Sequence, residues 1–433
     1  MIELQDCLGR IFTRSQLPLG LQQQAQTLSG MIEKKGKLWC NRCGQVVNKE
    51  KQQLPIGAYY CRSCVRLGRV RSDEKLYYFP QAEFPKMNVL KWEGRLTDYQ
   101  AKVSQGLVEA VAKQKNSLVH AVTGAGKTEM IYQVVAQVIN EGGAVCLASP
   151  RIDVCLELHR RLQEDFSCDI SLLHGESEVY FRSPLVIATT HQLLKFYRAF
   201  DLLIVDEVDA FPYVDNPMLY HAVTQSVKEQ STIIFLTATS TDELDKKVSK
   251  GELNRLSLPR RFHGNPLIVP QKIWLENFQK YLNQKKLVPK LEQFVKKQRK
   301  TGFPLLIFAS EIKRGQELAE VLQSYFSSEN VGFVASTTKN RLDIVEKFRQ
   351  KEITILVTTT ILERGVTFPC VDVFVVEANH RLFSRSALVQ IAGRVGRSMD
   401  RPTGELLFFH DGTNFAIERA IQEIKAMNQE AGL

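Results

Sequence analysis

The chain has 433 residues, 44 % of them hydrophobic and 24 % charged, which suits two or three globular domains and excludes a disordered or fibrous chain. No apolar run approaches the roughly 20 residues of a membrane-spanning helix, and the N-terminus MIELQDCLGRIF carries acids before any base, unlike a signal peptide. A cytoplasmic location is therefore expected. The net charge of +10 is unevenly placed: residues 1–95 hold 16 Lys/Arg against 8 Asp/Glu, and residues 260–300 hold 11 against 2, which leaves the rest acidic. Two basic segments on an acidic body suggest a polyanion track, with nucleic acid the usual partner; solvated helix faces are the alternative, above all for Lys296 to Lys300.

Nine cysteines are present. Cys7, Cys146, Cys155, Cys168 and Cys370 share no spacing, and Cys146 sits in a strand-like run as a small core residue. Cys40, Cys43, Cys61 and Cys64 form C-x2-C-x17-C-x2-C, in which two tight knuckles aim four thiolates at one point. That is the tetrahedral sulfur set of a structural Zn²⁺, with a redox pair or disulfides as the alternatives. Arg42, Arg62, Arg66, Arg69 and Arg71 surround the knuckles, with Trp39, Tyr59 and Tyr60 adjacent. Cations among aromatics suit a single strand of nucleic acid. Packing around a small metal core is the competing reading for Trp39 and Tyr60.

From residue 96 the chain alternates short apolar strands with helical patterns. SLVHAV, AVCLAS, LVIATT, LLIVDE and TIIFLT are the strand candidates of the first half; LLIFAS, VGFVA, TILVTT, VDVFVVEA and ELLFF are those of the second. This is the α/β pattern of parallel sheets covered by helices. LSLPRRFHGNPLIVP (256–270), with three prolines, a glycine and little periodicity, separates the halves as a linker. The expected division is a basic zinc module over 1–95, a first lobe over 96–258, and linker plus second lobe over 259–433. At the C-terminus, Ile417, Ile421 and Ile424 at helical spacing predict a helix docked on the second lobe rather than a partner site.

Two elements carry chemistry. AVTGAGKT (121–128) is a loop whose backbone N–H groups at Thr123, Gly124, Ala125 and Gly126 can cradle phosphates, with the Lys127 ammonium on the terminal phosphates and the Thr128 hydroxyl on Mg²⁺. Asp206 and Glu207 end an apolar strand, where one carboxylate holds the metal and the other orients water. Together they predict a nucleoside triphosphatase.

The full series resembles the motif set of the superfamily 2 helicases and translocases. LTDYQ (96–100) resembles their adenine-reading element, with Gln100 in the base-contact position. AVTGAGKT resembles motif I, although Ala121 replaces its first glycine. SPRIDVCLEL (149–158) and IATTHQLL (187–194) resemble strand-contacting motifs, DEVD (206–209) motif II and TAT (237–239) motif III. TTTILERGVTFP (358–369) resembles motif V, and QIAGRVGRS (390–398) motif VI. The resemblance implies two RecA-like lobes, ATP with Mg²⁺ on Thr128 and Asp206, Gly365 near the nucleotide, and Thr237 and Thr239 relaying the nucleotide state between lobes. It also implies that Arg394 and Arg397 face the γ-phosphate from the second lobe. Motif V departs from the pattern at Thr367, where relatives carry an acid for the ribose, so that contact stays open.

Motifs V and VI also resemble the primosomal restart helicase PriA, but that family is longer and places its zinc-binding residues within the second lobe. The N-terminal cysteines, compact motor and DEVDAFPY instead resemble the ComFA family, over essentially the whole chain. This implies a DNA-stimulated ATPase that translocates single-stranded DNA during natural transformation, with partners ComFC, DprA and the channel ComEC. It leaves room for a homo-oligomer and for peripheral placement at the inner face of the membrane. A restart or repair helicase that separates duplex is the alternative function. A DNA-binding scaffold without activity is argued against by intact Lys127, Asp206, Glu207, Arg394 and Arg397.

Overall fold

A computed structural model describes residues 2–175, 180–239, 241–363, 366 and 368–433. The chain divides into two compact units: Met1–His120 with Gly126–Ser257, and Ala121–Ala125 with Leu258–Leu433. Among the described residues no helix is long and apolar enough to cross a membrane.

The first unit opens with two small antiparallel sheets. Strands β1 (Ile11–Thr13), β2 (Gln26–Ser29) and β6 (Lys75–Tyr78) pair in the order β1-β6-β2; β3 (Met31–Lys34), β4 (Lys37–Cys40) and β5 (Val46–Val47) pair in sequence order. A seven-stranded sheet follows, built from β7 (Ser117–Ala121), β8 (Val145–Ser149), β9 (Ile170–Leu173), β10 (Leu185–Thr189), β11 (Phe200–Val205), β12 (Val227–Thr237) and β13 (Asn254–Leu258). Its order is β13-β7-β12-β11-β8-β10-β9, and the pairs from β7 to β9 are parallel. Every residue of β7, β8 and β10 is buried. That is why these strands are continuous apolar runs: helices cover both faces of a parallel sheet.

The small sheets are not an appendage. The four knuckle cysteines, Met31, Val47 and Leu76 belong to one contiguous hydrophobic cluster with Leu203, Val205, Val208, Leu219 and Val223 of the large sheet and its helices. Main-chain bonds stitch the same seam, with the Tyr197 N–H donating to the Gly9 carbonyl at 3.0 Å, and the Tyr78 and Tyr197 rings pack at 4.6 Å. The Arg10 guanidinium lies over the rings of Phe12 and Tyr180.

The second unit has a six-stranded parallel sheet of β14 (Gln271–Trp274), β15 (Leu305–Phe308), β16 (Val331–Val334), β17 (Ile355–Thr358), β18 (Asp372–Val375) and β19 (Leu406–His410), ordered β14-β19-β18-β15-β17-β16. The helix Phe415–Glu430 buries Ile417, Ile421 and Ile424, as their spacing predicts. The Asn428 side chain clips it to the Leu267 backbone at 2.8 and 2.9 Å. The helix Pro289–Arg299 buries Leu291 and Val295. Its cations are largely engaged: Lys296 pairs with Glu292, Lys297 with Glu405 and Arg299 with Glu329.

Candidate nucleotide and metal sites

The loop after β7 turns through Gly124 and Gly126, at φ +79° and +73°, a region that disfavours side chains, and enters the helix at Lys127. A β-carbon on Gly126 would stand 2.3 Å from the Gln100 amide nitrogen. Gln100 holds this loop. Its Nε2 donates to the Gly126 carbonyl at 3.3 Å, while its Oε1 accepts from the Thr97 N–H at 2.9 Å and hydroxyl at 3.1 Å in the capping box of helix Asp98–Ala112. The side chain expected to read adenine also ties the loop to the helix cap.

Parallel pairing of β11 with β8 brings the second element alongside, and the Asp206 N–H donates to the Ala148 carbonyl at 2.8 Å. One small pocket is lined by Lys127, Thr128 and Asp206, with Leu147, Ile204 and Leu236 as apolar wall. An ammonium, a hydroxyl and a carboxylate around one space fit a phosphate and its hard divalent cation. Glu207 stands at φ +53°, a left-handed conformation that costs a non-glycine residue about 1–3 kcal/mol and concentrates at functional sites.

Motif III is tied to motif II within the same unit. The Thr239 hydroxyl donates to the Asp209 carboxylate. The Thr237 hydroxyl donates to the Thr239 carbonyl at 2.5 Å and accepts from the Thr239 N–H at 3.1 Å. Both threonines are fully buried. These hydroxyls couple the two motifs within the first unit.

In the second unit, Ser384 caps the helix Arg385–Ala392, which delivers Arg394, buried, and Arg397, partly exposed, on the turn at its end. Gly365 and Thr367 lie outside the described residues. A residue the sequence did not single out, Arg261, is 2 % exposed and donates to backbone carbonyls of that turn. Its only sequence signal is its place in a proline-flanked basic stretch.

The sulfurs of Cys40, Cys43, Cys61 and Cys64 are buried and lie within 4.8 Å of one another, with Cys40 to Cys64 at 3.8 Å and Cys43 to Cys61 at 3.4 Å. A tetrahedral Zn²⁺ with sulfur at about 2.3 Å needs edges of about 3.8 Å, so the set fits this ion. Among the described residues all cysteines are free thiols and no other such cluster occurs.

The arginines divide. Arg42 is 1 % exposed and donates to the Leu67, Gly68 and Ile11 carbonyls, which removes it from the surface contacts expected of it. Burial also lowers its pKa. Arg71 pairs with Asp73 and Glu74. Arg62, Arg66 and Arg69 are exposed. Trp39 and Tyr60 are half-buried.

The first knuckle sits on the helix Pro217–Ser226, which follows motif II. Gln225 Nε2 donates to the Asn41 carbonyl at 2.7 Å, and Gly44, at φ +64°, faces the His221 ring. A β-carbon there would stand 2.6 Å from that ring. Gly44→Ala is expected to destabilise the unit by about 1–3 kcal/mol, seen as a Tm lower by several degrees. Adding His221→Ala should recover the steric part, which a double-mutant cycle measures; strictly additive effects would refute the contact.

Two parallel-sheet lobes, the first with a phosphate loop beside a strand-end acid pair, define an ATP-hydrolysing superfamily 2 enzyme. Residues 97–246 match the DEAD/DEAH box helicase family and 286–399 the helicase conserved C-terminal domain; residues 8–78 match the competence protein ComFA N-terminal domain. The chain is 70 % identical to the competence protein ComFA of Streptococcus pneumoniae over 99 % of both chains, and 39 % identical to that of Bacillus subtilis over 90 % of this chain and 86 % of the relative. It therefore belongs to the ComFA family. Among solved structures, S. cerevisiae Dbp5 bound to RNA and ADP BeF3 superposes with a TM-score of 0.53 at 16 % identity, covering 77 % of this chain and 91 % of that one, a likeness of fold alone.

Proposed function

We propose that this ComFA-family ATPase is a motor that draws single-stranded DNA inward during natural transformation. The observation that carries the reading is the convergence of Lys127, Thr128 and Asp206 on one pocket, in a chain whose whole length matches a competence family. In this proposal the loop N–H groups of Thr123 to Gly126 and the Lys127 ammonium bind the ATP phosphates. Thr128 and Asp206 would hold Mg²⁺, which when bound supplies positive charge to the phosphates. Glu207 orients the attacking water. Arg394 and Arg397 supply positive charge to the transferring phosphoryl group, a contribution worth on the order of 10³-fold or more in rate.

The four cysteines hold a structural Zn²⁺. Arg62, Arg66 and Arg69 are exposed beside it and suit backbone phosphates, so the motor follows the strand with little sequence preference. Family resemblance assigns ComFC, DprA and the ComEC channel as partners, reached from the cytoplasmic side.

Single-stranded DNA is expected to raise the steady-state rate of phosphate release. Equal rates with and without DNA would rule out a translocase. A forked duplex tests the alternative: strand separation that keeps pace with ATP turnover would favour a repair or restart helicase.

A further inference from the structure

We infer that Arg261 is a positioning residue for the arginine-bearing turn: its guanidinium, supplied by the segment that leads into the second lobe, sets the placement of Arg394 and Arg397. The inference rests on the catalytic reading of those two arginines and adds to it the group that holds them.

The helix Arg385–Ala392 ends in a turn over residues 393–396, whose N–H groups at Gly393, Arg394 and Val395 close onto the Val389, Ile391 and Ala392 carbonyls, while the carbonyls of Gly393, Val395 and Gly396 lie past the helix and point to partners outside it. Arg261 meets them. Its Nη1 donates to the Val395 carbonyl at 2.8 Å and to the Gly396 carbonyl, and its Nη2 donates to the Gly393 carbonyl at 3.3 Å. His263 Nε2 lies 3.2 Å from the Gly396 carbonyl and reinforces the same point. The three carbonyls bracket Arg394 and immediately precede Arg397, so the grip falls on the backbone that aims both side chains.

The chemistry favours arginine over any other cation here. One planar fork spans three carbonyls, which an ammonium cannot do with the same geometry. A positive charge at a helix C-terminus also meets the negative end of the macrodipole. Burial, then the nearby Arg397, lowers the Arg261 pKa to about 10, so the guanidinium is still charged at neutral pH. Burying a cation against main chain alone is costly, and a plain turn would not need it. The segment itself is stiff at this place: the Gly264 N–H donates to the Arg261 carbonyl at 2.9 Å and Arg260 Nε donates to the Gly264 carbonyl at 3.2 Å.

The experiment compares full-length Arg261→Ala, Arg261→Lys and Arg397→Ala. ATP turnover, affinity for a fluorescent ATP analogue, and hydrogen exchange of the 393–397 amides are measured for each. Misplacing a catalytic group by about 1 Å costs on the order of 100-fold. Arg261→Ala is therefore expected to lose about 10- to 100-fold in kcat, with nucleotide affinity unchanged within about twofold. Exchange should rise in the turn and not elsewhere, and Arg261→Lys should recover part of both effects. Wild-type kcat in Arg261→Ala beside an inactive Arg397→Ala would overturn the positioning role alone. Full turnover in Arg397→Ala would instead overturn the catalytic reading beneath it. Exchange that rises across the whole lobe would replace positioning with a general structural role.

Discussion

Lys127→Ala is expected to leave a folded protein that binds single-stranded DNA with wild-type affinity and does not turn over ATP. Removing one preorganised charge-stabilising donor typically costs 10²- to 10³-fold, and Lys127 should lie at or beyond the upper end, since it serves both binding and the transition state. The scaffold should survive the change. The β7 strand beneath the loop is fully buried, and the loop is held independently by Gln100 from the neighbouring helix. Neither support depends on the Lys127 side chain. Phosphate release measured at saturating DNA, beside fluorescence anisotropy with a labelled oligonucleotide, separates the two properties. Asp206→Asn should match the loss through the metal, and Glu207→Gln should reduce turnover while retaining nucleotide. Turnover of Lys127→Ala within about threefold of wild type would remove this loop from the chemistry.

The strands that carry these residues were legible because a strand buried on both faces is a short continuous apolar run. All ten runs named from the sequence are strands. In the two large sheets the ones not anticipated lie at the edges: β9, β13 and β14. In β13, Asn254 and Arg255 are exposed, and in β14 three of four residues are exposed and the fourth is partly buried, so neither shows a run of buried apolar residues. The linker expected from residue 256 begins three residues later, at Pro259, because Leu256 to Leu258 complete β13. Motif spacing placed Lys127, Thr128 and Asp206 in one pocket. It could not show what each side chain touches. Gln100 binds Gly126, Thr239 binds Asp209 and Arg42 binds three carbonyls, and each of these choices depends on partners brought close only by the fold. A buried cation and a surface cation are identical in sequence.

The seat of the zinc module was equally hidden, since Asn41 and Gln225 meet across 184 positions, and it carries the second large expectation. Cys40→Ser, or removal of the metal by a chelator, is expected to melt the nucleotide-binding unit along with the knuckles. Structural zinc in small modules contributes on the order of 10 kcal/mol of folding free energy, while a whole domain is stable by only about 5–15 kcal/mol. In a tethered module that loss would stay local. Here the four sulfurs pack in the same cluster as Val205 and Val208, which flank Asp206 and Glu207, and as Leu219 and Val223 of the helix beneath the knuckle. Loss of the metal therefore opens a cavity and a set of unpaired thiols inside the lobe core. Zinc content together with a thermal melt gives the answer. The expected result is loss of zinc with a single, strongly lowered transition that also abolishes nucleotide binding. Wild-type zinc stoichiometry in Cys40→Ser would end the four-ligand assignment. Loss of zinc with an unchanged main transition would show that the module folds apart from the lobe, against the shared core.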